Sequence, residues 1–246
     1  MMKKMLSVKS LSKEFNGEKA VDSVSFEADA GDVFGLLGPN GAGKTTTLRM
    51  IATTIKPSSG NAQVFGFSIT KEPSNVRQVV GILTAAIGLY GRLTARENLR
   101  YFGRLYGLSG KKLEERINEL IKLLDMASFA DRKTENFSTG MLQKVAIGRA
   151  ILHDPPVLIL DEPTTGLDVI AAQTVVNFIR QAREMGKCVI LSTHIMSEAQ
   201  KLCKRAAIIH QGKIIINEEI SSILKKTDKL FLEDAFMVLV KDNEKN

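Results

Sequence analysis

The chain has 246 residues, 44% of them hydrophobic and 25% charged, which is ordinary globular usage with enough length for one large core. Every apolar run falls short of the roughly 18–20 residues a membrane span needs, and the start Met1-Met2-Lys3-Lys4-Met5 has no apolar stretch behind its lysines, so neither a membrane-spanning nor a secretory-leader class is expected. The excess of 34 basic over 27 acidic residues, a net +7, contains no basic block of five or more; it fits a solvated surface with ligand-binding Lys and Arg, the other reading being nearness to an anionic membrane. The chemistry expected is that of a soluble intracellular protein. Cys188 and Cys203 have neither metal spacing nor a disulfide framework and read as buried reduced thiols.

In chain order, residues 5–9, 24–28 and 62–66 alternate apolar and polar with period two, as half-buried strands of a small antiparallel sheet do. Gly31-Asp32 and residues 57–60 are turn punctuation. Residues 33–37 form a short apolar strand and residues 46–51 a helix. Between them lies Gly38-Pro39-Asn40-Gly41-Ala42-Gly43-Lys44-Thr45, which matches G-x-x-x-x-G-K-[ST] in the strand–loop–helix setting that motif requires. A polyphosphate needs converging donors, and Gly38, Gly41 and Gly43 let the backbone N–H groups wrap it. Lys44 brings a mobile charge to the β- and γ-phosphates, Thr45 a hydroxyl for Mg²⁺, and the helix beginning there, with Thr46, is itself an anion site.

Residues 79–83 read as a buried strand, after which the chain is nearly all helical from about residue 94 to residue 153. Thr94-Ala95-Arg96-Glu97 is a capping box, and Leu113, Ile117, Leu120, Ile121 and Leu124 share one face that reads as core. After Pro155-Pro156, strand–helix alternation returns: a strand over 157–160, a helix over 169–185 with Asp168 before it and Gly186 after it, and a strand over 188–192. Such alternation implies a parallel sheet with helices on both faces. Residues 207–210 and 213–216 flank Gln211-Gly212 as a hairpin. The tail from residue 221 reads as helical, with Leu232, Phe236 and Leu239 on one side and a frayed polar end over 241–246. The layout is an α/β nucleotide core with a helical insert of about 60 residues, long enough to call for a role of its own.

Asp161 and Glu162 end the 157–160 strand. A carboxylate at a strand tip beside a phosphate loop holds Mg²⁺, and the next one orients and polarises an attacking water. His194 follows a second strand tip, where it is either within reach of the γ-phosphate or incidental.

With these residues in place, the chain resembles the ATP-binding subunit of an ABC transporter over nearly its whole length. Three further segments carry the likeness: Phe137-Ser138-Thr139-Gly140-Met141 where the family has its signature, Gly166-Leu167-Asp168 as the D-loop, and Ser192-Thr193-His194 as the switch histidine. The resemblance implies an α/β P-loop fold with a mainly parallel sheet, an N-terminal antiparallel β-subdomain and an inserted α-helical subdomain. It implies one ABC domain over 1–246, with β-subdomain and core over about 1–93 and 156–220, helical subdomain over about 94–155 and helical tail over about 221–246. It implies ATP and Mg²⁺ as cofactors. Residues 38–46 and Lys44 bind phosphate, Thr45 and Asp161 hold the metal, Glu162 is the catalytic base and His194 senses the γ-phosphate. Phe15 sits where the family stacks an aromatic on adenine. Ser138 opens a helix and Gly140 admits a phosphate to the backbone, a second anion site. With Asp168 they complete the ATP site of a second subunit in a head-to-tail dimer, a copy or a related ATPase.

Two departures stand out. Thr139 and Met141 replace a Gly and a Gln of the signature, and Ala85 stands where the family places a metal-contacting Gln. Residues 88–99 resemble the export branch whose membrane permease is a separate chain, most closely the sodium-export (NatA-type) subunits, the branch that also includes drug efflux. Leu89, Tyr90 and Leu93 read either as an apolar patch for a permease helix or as packing under the insert. The implied place is the inner face of the cell membrane, through the permease, with no nucleic acid partner. A non-transport ATPase working on a soluble scaffold or nucleic acid is the alternative reading; a small-molecule kinase would leave the signature and D-loop without a role.

Overall fold

A computed structural model describes residues 3–84 and 88–244. Strands β1 (Lys4–Phe15), β2 (Glu18–Asp29), β4 (Ser59–Val64) and β5 (Phe67–Ser68) form an antiparallel sheet of order β2-β1-β4-β5. β1 and β2 each run for 12 residues, well beyond the alternating stretches in the sequence. The register shifts between Val8 and Leu11, and Ser10 and Ser23 have φ of 46° and 53°, so the side-chain alternation breaks where the strands do not. The expected strand over 62–66 ends early: Phe65 and Gly66, at φ 52° and 91°, are the two-residue turn between β4 and β5.

The second sheet holds β3 (Val33–Leu37), β6 (Val80–Leu83), β7 (Val157–Asp161), β8 (Cys188–Thr193), β9 (Arg205–His210) and β10 (Lys213–Glu219), in the order β10-β9-β3-β8-β7-β6. Its neighbours are parallel except for the β9–β10 hairpin, which turns through Gln211 and Gly212 as expected. β3 and β7 are buried along their whole length, as strands covered on both faces are. Leu158 and Leu160 join one core, Val157 and Ile159 the other. The first core lies under helices α3 (Ala95–Leu105), α4 (Gly110–Leu123) and α5 (Thr139–Ala150); the second lies between the two sheets, with α1 (Lys44–Ile51) and α2 (Pro73–Val79).

The Thr94 capping box is present: the Glu97 amide donates to Thr94 Oγ1 at 3.1 Å and the Thr94 amide donates to Glu97 Oε2 at 2.8 Å. Leu113, Ile117, Leu120, Ile121 and Leu124 are buried in the first core. α6 (Val169–Glu184) starts at the Asp168 cap, and α7 (Met196–Leu202), α8 (Ile220–Thr227) and α9 (Leu232–Glu244) follow. Of the end expected to fray over 241–246, residues 241–244 continue α9, and Lys245 and Asn246 lie outside the described residues. The short helices α2 and α7 were not apparent from periodicity, and Val79 closes α2 rather than opening β6. Cys188 and Cys203 are buried and free; burial raises both thiols, that of Cys203 to about 12. Among the described residues no helix is long and apolar enough to cross a membrane.

Candidate ATP site

The loop between β3 and α1 passes so close to its surroundings that two positions demand glycine. A Cβ on Gly38 would stand 2.2 Å from the Ile209 carbonyl oxygen, and one on Gly43, at φ 104°, 2.6 Å from that of Ala20. Gly43 is also the cap of α1 and offers no side chain to its first amides, so the positive helix end faces the loop. Lys44 is 5% exposed, and its Nζ donates to the carbonyls of Gly38 at 2.7 Å and Pro39 at 3.0 Å. Ala42 is buried and its carbonyl accepts the Gly212 amide at 3.0 Å, which ties the loop to the β9–β10 hairpin. Pro39, Asn40, Gly41, Gly43, Lys44, Thr45 and Thr46 line a cleft of about 160 Å³, together with Ala20 and Glu162.

Two carboxylates arrive from the tip of β7. Asp161 is 4% exposed, and its Oδ1 accepts from Thr45 Oγ1 at 3.1 Å and from Ser192 Oγ at 2.7 Å. Glu162 turns the chain off the strand at φ 52°, a left-handed conformation uncommon for a residue with a side chain, and its amide donates to the Ser192 carbonyl at 3.0 Å. Its Oε2 accepts from Thr165 Oγ1 at 3.0 Å and lies 2.8 Å from His194 Nδ1. Its Oε1 is 3.3 Å from Lys44 Nζ, within ion-pair distance but outside hydrogen-bonding geometry. The parallel register Asp161↔Ser192 is what brings Glu162 and His194 together.

Ser138, Gly140 and Asp168 gather elsewhere. Ser138 caps α5, its hydroxyl accepting the Met141 amide at 3.3 Å. A Cβ on Gly140 would lie 2.9 Å from Ala171 Cβ on α6, and Asp168 caps α6 by accepting the Ala171 amide at 2.8 Å. Phe15, at the end of β1, is 47% exposed, with Lys13 Nζ 5.0 Å from its ring centre. Leu89 packs against the first core, whereas Tyr90 is 49% exposed and meets Tyr101 edge-on at 5.0 Å. Ala85 lies outside the described residues.

Sequence reasoning gave no role to Ser192, Thr165, Ala20 or Gln143. Ser192 carried a signal, a hydroxyl closing the apolar run of 188–191. Gln143 Nε2 donates to the Pro163 carbonyl at 2.6 Å and so ties α5 to the carboxylate turn.

Residues 21–165 match the ABC transporter family. The chain belongs to that family. It is 43% identical over 238 residues to the ABC transporter ATP-binding protein NatA of Bacillus subtilis (strain 168), a match covering 95% of this chain and 97% of that protein. It is 40% identical over 211 residues to the linearmycin resistance ATP-binding protein LnrL of the same organism, covering 86% of this chain and 68% of that protein. A dimeric ATP-binding cassette solved in a post-hydrolysis state with ADP and phosphate superimposes with a TM-score of 0.80 at 26% identity, over 88% of this chain and 99% of that one. The protein is therefore an ATP-binding and ATP-hydrolysing ABC subunit, and the fold is the ABC-type α/β P-loop fold anticipated from the sequence.

Mg²⁺ suits the oxygens at the loop. Thr45 Oγ1 and Asp161 Oδ1 are 3.1 Å apart, and among the described residues no group of three or more His, Cys, Asp or Glu is gathered as a metal cage. Mg²⁺ ordinarily takes one or two protein oxygens and completes its shell with phosphates and water.

Proposed function

We propose that the chain is the motor of an exporter: two ATPase copies close around ATP and drive a separate membrane permease, which holds them at the inner face of the membrane. The cluster of Glu162 with Lys44 at 3.3 Å and His194 at 2.8 Å at the mouth of the phosphate loop carries this reading. The backbone of residues 38–46 takes the phosphates, and Lys44 leaves the Gly38 and Pro39 carbonyls for the β/γ-phosphate oxygens. Thr45 and Asp161 hold Mg²⁺, which supplies charge neutralisation on the phosphates. Glu162 orients a water and takes its proton as the new O–P bond forms and the bond to the ADP oxygen breaks; His194 senses the γ-phosphate and, with Nδ1 2.8 Å from the Glu162 carboxylate, holds that carboxylate in place. Phe15 stacks on adenine. Ser138, Gly140 and Asp168 act across the pair, with residues 94–155 as the helical arm that carries the first two.

The dimeric cassette solved with ADP and phosphate supports the pairing, and likeness to a resistance ATPase supports export. Cargo of the sodium or drug class follows from the export-branch likeness of residues 88–99, and Tyr90 with Tyr101 offers an aromatic ledge for the permease. The test is Glu162→Gln with saturating ATP and Mg²⁺: sedimentation gives a stable dimer, with turnover down by about 10²–10⁴. A Glu162→Gln chain that stays monomeric sinks the paired motor. Purification from membranes brings down a polytopic permease; recovery of nucleic acid or a soluble scaffold instead sinks the transport assignment.

A further inference from the structure

Two features border the same catalytic histidine and are left unused by the roles above. The first is a ridge. Val169 and Ile170, the first two residues of α6, are 86% and 82% exposed, although large aliphatics on a helix's first turn gain nothing from water. Val169 lines a cavity of about 490 Å³ that also reaches His194. The second is a hollow of about 400 Å³ that also reaches His194, walled by Pro39 and Asn40 of the phosphate loop, by Met196, and by Glu233, Phe236 and Met237 of α9. Met237 is 53% exposed and Phe236 is half-buried on the first core.

We propose that Val169 and Ile170 of one copy seat in the hollow between the phosphate loop and α9 of a second copy, and the reverse, so that the C-terminal helix forms part of the ATP-dependent contact. This rests on the paired-copy reading above. A twofold contact must be self-complementary, the same patch supplying both donor and acceptor. An apolar ridge and a mainly apolar hollow that both border His194 fit that requirement: two β-branched aliphatics set against Met196, Phe236 and Met237, whose soft and flat side chains adapt to them, with Glu233 the acidic side chain in the same wall. The contact would make α9 report on ATP. Closing the pair covers Met237, and opening it after hydrolysis exposes Met237 again.

The native thiols make a direct test possible, because Cys188 and Cys203 are buried and their thiols are raised by burial, hence unreactive. Ile170→Cys and Met237→Cys are each made in the Glu162→Gln background, and the two chains are mixed with ATP and Mg²⁺ and oxidised with copper–phenanthroline. A disulfide joining the two chains, formed with ATP and not without it, is the expected result. In the same background Met237→Ser weakens ATP-dependent association about tenfold or more, whereas Met185→Ser, 65% exposed at the far end of α6, leaves it unchanged. Association at the parent's affinity in Met237→Ser, or no cross-link in a sample that sediments as a dimer, overturns the α9 contact and leaves the paired motor standing. Failure of the Glu162→Gln parent itself to dimerise overturns both.

Discussion

Two helices of this chain start where an anion could be held, and they are built in opposite ways. At α1 the cap is Gly43, whose left-handed backbone leaves the first amides without a side-chain partner, and Lys44 beside it is 5% exposed. Thr45 reaches Asp161, 116 residues away, so the start of α1 is finished by strand tips of its own sheet. At α5 the cap is Ser138, exposed, with its hydroxyl already taken by the Met141 amide, and a Cβ on Gly140 would come within 2.9 Å of Ala171 Cβ. One helix start is enclosed by the chain that made it; the other is displayed. An enclosed site is selected for chemistry and a displayed one for recognition, so substitutions at the two should fail differently.

The largest effect belongs to the enclosed site. Lys44→Ala removes the one buried cation at the loop, and with it a positive charge aimed where negative charge develops during phosphoryl transfer. Turnover should fall about a thousandfold, measured as phosphate release at saturating ATP. Turnover within tenfold of the parent would break the assignment of the chemistry to α1.

A smaller effect concerns how the helical segment is fastened to the core. His153 follows α5; its Nε2 is 3.1 Å from the Val80 carbonyl on β6, and its ring stacks on Tyr106 at 3.8 Å. Burial pulls its pKa from 6.5 to about 4. Between those values the unfolded chain binds a proton that the folded chain refuses, so stability falls as pH drops from about 6.5 towards 4. The full shift corresponds to about 2 kcal/mol at pH 5, and partial exposure of the ring reduces it to about 1–2 kcal/mol. Urea melts at pH 7.5 and pH 5 should differ by that amount in the parent and by much less in His153→Phe, which keeps the aromatic stack. An equal pH slope in both chains would detach His153 from acid sensitivity.

The enclosed site was legible in the sequence because its parts sit at the ends of unbroken apolar strands. The runs 33–37, 157–160 and 188–192 place Lys44, Asp161 and His194 at neighbouring tips once the sheet is parallel. What escaped had weak local signals. α2 and α7 are seven residues each, too short to show a helical period. Phe65 has strand-like chemistry but sits in a turn at φ 52°, and the breaks at Ser10 and Ser23 hid the length of β1 and β2. The left-handed backbone at Glu162 is imposed by tertiary contacts and leaves no mark in composition. For Ser138 and Gly140 the residue types were readable from a family likeness, but the display of α5 towards solvent belongs to three-dimensional packing alone.

The smallest effect sharpens the displayed site, because there stability and recognition can be separated. Ser138→Ala removes the cap of α5 and should cost about 1 kcal/mol of unfolding free energy. Ser138→Asp restores a capping acceptor and adds a negative charge at the positive helix end, so its stability should return to within a few tenths of a kcal/mol of the parent. If Ser138 meets the γ-phosphate of a second copy, that same carboxylate repels it, and ATP-dependent association and turnover should both fall although the fold is intact. A residue acting only as a cap predicts the reverse order, with the Ala chain impaired and the Asp chain active. Urea melts and phosphate release on the two variants distinguish these outcomes, and an active Ser138→Asp chain would leave α5 with a structural role and no part in binding ATP.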